Sequence, residues 1–100
     1  MPKEQAKRAK LVVGNWKMHG RLAENAVLLQ AVAAGAATLG NGVRTGVCVP
    51  APYLAQSQAL LGGSVVAWGV QDVSAHTQGA YTGEVAAGMA ADFEIGRAHV

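Results

Sequence analysis

The chain has 100 residues, 51% hydrophobic and 14% charged, with 13 glycines and a formal charge of +2. That profile fits one small globular domain and excludes a disordered chain. The charge is lopsided: Lys3, Lys7, Arg8 and Lys10 against Glu4 put +3 on the first ten residues and leave −1 on the rest. The basic balance therefore belongs to a solvated leader, residues 1–9, and does not argue for a nucleic-acid partner.

The leader has no apolar centre, so it does not read as a signal peptide. No apolar run approaches the roughly 20 residues of a membrane helix, so no membrane partner is expected. Leu11-Val12-Val13 opens a first strand, which meets Gly14, Asn15, Trp16 and Lys17. Strand alternation would put Asn15 and Lys17 on one face and Trp16 on the other. An amide beside a fixed positive charge, next to a glycine that admits a ligand, is an anion-binding arrangement. A buried strand ending in a turn with a solvated lysine satisfies the same pattern.

Arg21 to Leu39 is rich in Ala and Leu and reads as a helix. Its apolar stripe is expected along Leu28, Val32, Gly35 and Leu39, widened by Val27, Ala31 and Ala34. Gly40-Asn41-Gly42 stops it. Val43 to Val49 is a second strand, broken by Pro50 and Pro52, and Pro52 suits a first helical turn. A short helix is expected over Tyr53 to Leu61, then Gly62-Gly63, then a third strand over Ser64 to Gln71. The strand starts Leu11, Val43 and Val65 are 32 and 22 residues apart, room for crossover helices, so the sheet should be parallel.

Asp72 to Gly83, DVSAHTQGAYTG, has no apolar period and exceeds the usual βα connection. A loop of that length inside a small domain, carrying Tyr81 and Thr82, is expected to make contacts. Glu84 then opens a helix to about Phe93, where its carboxylate would suit the helix dipole. The single cysteine, Cys48, excludes an internal disulfide and suits a reducing, cytoplasmic compartment. It reads as a small buried hydrophobe and not as a nucleophile. His19, His76 and His99 are scattered, so no metal is expected.

Three stretches carry a resemblance. VVGNWKMHG resembles the opening strand of the triosephosphate isomerase family, where an N-x-K pattern ends the first barrel strand. VCVPAPYL, Val47 to Leu54, is similar to the second strand and the start of its helix. AWGVQDVSAHTQGAYTGEVAAGMAADF, Ala67 to Phe93, is similar to the third strand, long loop and third helix. The resemblance runs over about residues 10–93. It implies an α/β fold, the first three βα units of a partial TIM (β/α)8 barrel.

It also implies a chemistry. The whole enzyme interconverts dihydroxyacetone phosphate and D-glyceraldehyde 3-phosphate through an enediolate, without a cofactor, using a glutamate base and a neutral histidine. Lys17 matches the fixed positive charge, and Asn15 the amide that contacts substrate and holds the lysine. The loop over residues 72–83 would insert into the partner of a homodimer beside that partner's N-x-K strand end. Thr82 leads that contact, with Tyr81, Gly83, Glu84 and Met18. The base, the electrophilic histidine, the lid and the later phosphate-binding glycines have no counterpart in this sequence. Three βα units do not close a barrel, so positions such as Val70 are expected to meet water and the sheet edges to stay open.

Two other classes fit the periodicity. Half of another phosphate-binding barrel or a flavodoxin-like enzyme would need a Gly-rich phosphate loop directly after a strand, and this sequence has none. A non-catalytic interaction module using the 72–83 loop would not need Asn15 and Lys17. Residues 94–100, EIGRAHV, do not resemble the family's turn and fourth strand. They resemble a reading frame of a common sequencing adapter, so a non-native tail is expected there. His99 takes over no catalytic role.

Overall fold

The computed structural model describes residues 10–40 and 42–96. The 1–9 leader, Asn41 of the helix stop, and Arg97 to Val100 with His99 lie outside the described residues. The chain runs β1 (Lys10–Asn15), α1 (Leu22–Ala36), β2 (Val43–Val49), a 3-10 turn (Ala51–Tyr53), α2 (Leu54–Leu61), β3 (Val66–Val70) and α3 (Ala87–Ala91). The three strands form one sheet in the order β1-β2-β3. Both pairings are parallel, with Lys10 opposite Val43 and Thr45 opposite Val66. This is the α/β arrangement expected, built from crossovers that a parallel sheet requires.

The register makes rows across the sheet. Gly14, Val47 and Trp68 form one row, and Asn15, Cys48 and Gly69 the next. Alternation sends these rows to opposite faces. Over β2 and β3 the first face is covered by α1 and α2, and Leu29, Val47, Val49, Leu54, Leu61, Val66 and Trp68 make the core there. The second face is made of small residues. A Cβ on Gly69 would sit 3.7 Å from the Cys48 thiol, and one on Gly46 would sit 3.5 Å from the Ala67 carbonyl. Cys48 is free and half-buried on this face.

Val70 belongs to the helix-covered face and packs partly buried against the core. The expectation that it meets water is therefore corrected: its row partner Val49 is fully buried, and alternation carries both toward the helices. The edge expectation does hold at β1, all six of whose residues are exposed.

The buried stripe of α1 is also corrected. It runs along Asn25, Leu29 and Ala36, with Val32 and Ala33 packed partly against the core. Val27 is 71% exposed, and Leu28 and Leu39 are exposed too. The helix is thus turned by one residue, about 100°, from the expected stripe. A helix made of Ala, Leu and Val offers little apolar contrast between its faces, so its sequence does not fix which side faces in; Asn25 faces inward and accepts from the Trp16 indole. After Ala36 the chain tightens into a turn, where the Thr38 hydroxyl donates to the Gly35 carbonyl at 2.7 Å.

Pro52 sits in the 3-10 turn that leads into α2. The third helix is shorter than expected and starts at Ala87, not Glu84. Glu84 therefore does not serve the helix dipole. Beyond α3, the Trp68 indole donates to the Phe93 carbonyl at 2.7 Å, and the Gly96 N–H donates to the Trp68 carbonyl at 2.7 Å. Ile95 packs partly buried against the core.

Candidate active site

The carboxyl end of β1 turns at Asn15. The Trp16 N–H still donates to the Cys48 carbonyl at 2.9 Å, so the ladder persists one residue beyond the strand. Lys17 then leaves it, with φ +55. Its backbone N–H donates to Asn15 Oδ1 at 2.8 Å, closing a turn on the asparagine side chain. The sequence expectation placed Asn15 and Lys17 together by strand alternation. The structure joins them differently, through a hydrogen bond from the backbone of the left-handed Lys17 to the Asn15 side chain, because the strand ends before Lys17. The expectation for Trp16 holds: its indole lies on the helix side, over Gly14, and donates to Asn25 Oδ1 at 3.1 Å.

The turn returns through Gly20, at φ +111. A Cβ there would stand 2.6 Å from Asn25 Oδ1 and 3.2 Å from Trp16 Cδ1. The Tyr53 hydroxyl donates to the Gly20 carbonyl at 2.7 Å, and Gln56 Nε2 donates to the Leu22 carbonyl at 2.6 Å. The segment carrying Lys17 is thus tied to α1 through Trp16 and to the 3-10 turn through Tyr53, while Gln56 ties α2 to the first residue of α1. Lys17, Met18 and His19 are exposed, Met18 at 92%. A cleft of about 380 Å³ opens beside them, lined by Asn15, Trp16, His19, Gly20 and Asn25 among others. What this arrangement can do is present an ammonium to an anion from a backbone already held in place.

Sequence reasoning found Asn15 and Lys17 and missed the ties. Asn25 carried a faint signal, a polar residue within an apolar helix. Tyr53 and Gln56 carried none, because their partners lie more than thirty residues away in the chain.

The long loop is built around its neck. The Ser74 N–H donates to the Val85 carbonyl at 2.7 Å, the Ser74 hydroxyl bonds the Glu84 carboxylate, and the His76 N–H donates to Ser74 Oγ at 3.0 Å. Glu84 is a neck residue, which is the physical content of its correction from helix start. Above the neck the His76 and Tyr81 rings stack, centroids 3.9 Å apart and within 2° of parallel. Gly79, at φ +137, makes room for that stack, since a Cβ would meet Tyr81 Cε2 at 2.8 Å. Tyr81, Thr82, Gly83 and Glu84 are all exposed. A second cleft, of about 490 Å³, lies where the loop meets the ends of β2 and β3.

The triosephosphate isomerase of Bordetella pertussis is 63% identical over 86% of this chain, which covers 34% of that protein. The triosephosphate isomerase of Cupriavidus necator is 62% identical over the same shares. The crystal structure of triosephosphate isomerase from Bartonella henselae superposes with a TM-score of 0.75 at 34% identity, covering 84% of this chain and 34% of that one. The chain thus spans about a third of the length of the curated relatives it matches. The family model for triosephosphate isomerase matches residues 10–100. That span includes all three strands, the Asn15–Lys17 turn and the stapled loop, and it places the chain in the triosephosphate isomerase family.

Proposed function

We propose that this chain supplies the Asn15–Lys17 end of an isomerase site that interconverts dihydroxyacetone phosphate and D-glyceraldehyde 3-phosphate. The substrate carries a phosphate dianion, and negative charge develops on its enediolate during the reaction. Lys17 supplies a positive charge to both, and needs no reorganisation if its backbone is held before substrate arrives. Asn15 binds substrate and, through its side-chain oxygen, fixes the lysine backbone. One observation carries this reading: the Lys17 N–H donates to Asn15 Oδ1 at 2.8 Å, at the carboxyl end of a parallel strand. In barrels of this kind that end holds the chemistry. The base and the electrophilic histidine come from later strands of the family fold.

The exposed loop tip, Thr82 with Tyr81 and Gly83, together with Glu84 at the neck, supports a homodimer contact in which the loop meets Met18 and its neighbours on the partner subunit. The stapled neck and the stacked rings hold the tip in one shape, which lowers the entropy lost on docking. The working compartment is the cytoplasm. No helix among the described residues is long and apolar enough to cross a membrane.

The test uses a completed polypeptide, in which residues 10–93 of this chain continue into the C-terminal two thirds of the Bordetella pertussis relative. Isomerase turnover is expected from it. Turnover that survives Lys17→Ala at the parent rate would overturn the role of Lys17, and a folded, inactive parent would overturn the whole reading.

A further inference from the structure

We infer that Asn25 is a positioning residue for Lys17, acting through the indole of Trp16. The inference rests on the role proposed for Lys17. It starts from an anomaly: Asn25 is 2% exposed, in a helix otherwise made mostly of Ala, Leu and Val. A buried amide is unfavourable unless both its oxygen and its nitrogen find partners. Only the oxygen does, accepting from Trp16 Nε1, and Nδ2 has no partner among the described residues. The indole can only donate, so the amide cannot be turned to satisfy its nitrogen instead. A leucine would pack here without that penalty and with better helix propensity. The position is explained by what the oxygen does.

That oxygen touches both ends of one turn. It binds the side chain of Trp16, the residue between Asn15 and Lys17, and it lies against Gly20, where a Cβ would stand 2.6 Å away. Between these points Lys17 holds φ +55, a conformation unfavourable for a residue with a Cβ. Asn15 fixes one side of that residue, and the Trp16–Asn25 bond fixes the chain just before it. The far end is held by Tyr53 on the Gly20 carbonyl. A carboxylate at position 25 would bring a charge into a buried site. The neutral amide supplies the acceptor without one, and the unpartnered Nδ2 is the consequence.

The experiment compares Asn25→Leu, Trp16→Phe and the double variant in the completed polypeptide. Misplacing Lys17 is expected to raise KM for D-glyceraldehyde 3-phosphate about tenfold to a hundredfold in either single variant. The double variant should be no worse than the singles, because both remove the same bond. A merely structural role would lower the yield of folded protein and leave KM unmoved, and that result would overturn the inference. So would additive losses in the double variant. If Asn25→Leu does not fold, Trp16→Phe, which keeps an aromatic ring and removes the donor, gives the same readout. If the parent folds but shows no turnover, the proposed function fails and the positioning is read in the same completed polypeptide by hydrogen exchange: faster exchange of the Lys17 amide in Asn25→Leu supports the inference, and an unchanged rate overturns it.

Discussion

Lys17 stands with φ +55 where a glycine would be more comfortable, a departure of order 1–2 kcal/mol for a residue with a Cβ. The side chain is the reason to keep it. In the completed polypeptide Lys17→Ala should lower kcat/KM by about a hundredfold or more while leaving the melting temperature within a few degrees, measured by coupled assay and circular dichroism. Gly20 makes the opposite case. With φ +111 and the Asn25 amide oxygen 2.6 Å from a built Cβ, Gly20→Ala should destabilise the same protein by about 1–3 kcal/mol, read from the urea midpoint. At this scale the sequence pointed to Asn15 and Lys17 as candidates for the chemistry, because amide and ammonium stand two residues apart at a strand end. It did not show what holds them, because Asn25 and Tyr53 reach the turn from other elements.

Helix α1 shows how little an apolar sequence says about which side faces in. Leu28 and Leu29 are neighbours of equal hydrophobicity, yet Leu29 is fully buried and Leu28 is 48% exposed. Leu29→Ala should therefore destabilise the completed polypeptide by about 2–5 kcal/mol. Leu28→Ala should change it by under about 1 kcal/mol, and the two urea transitions compared side by side test the rotation directly. The loop offers a second case. Its length and lack of period were visible in the sequence, but its neck was not, because Ser74 and Glu84 are ten residues apart with no pattern to pair them. Ser74→Ala removes the acceptor of the His76 N–H, and that amide should exchange about fivefold faster, as followed by hydrogen exchange.

Three parallel strands leave two edges, and here one of them, β1, exposes Leu11, Val12 and Val13 along its length. Exposed, apolar and unpaired edge strands recruit other chains. The 100-residue chain studied by itself is expected to self-associate and to show no isomerase turnover. Analytical ultracentrifugation and a coupled assay check both, and a monomeric, cooperatively melting, active chain would contradict them. A closed barrel removes such edges altogether. The core that does form lies between β2, β3 and the α1–α2 layer, and it reaches the turn after β1 through Trp16.

Local pattern alone determined the order of strands and helices, their parallel pairing, and the adjacency of Asn15, Trp16 and Lys17, because alternation, helix stops and crossover spacing are properties of short stretches. Tertiary structure decided the rotation of α1, the face to which Val70 turns, the left-handed backbone of Lys17 and the stapling of the loop. These depend on contacts that the period of a single strand or helix does not encode, such as the indole of Trp16 reaching Asn25 on the next helix or the hydroxyl of Tyr53 reaching Gly20, thirty-three residues away.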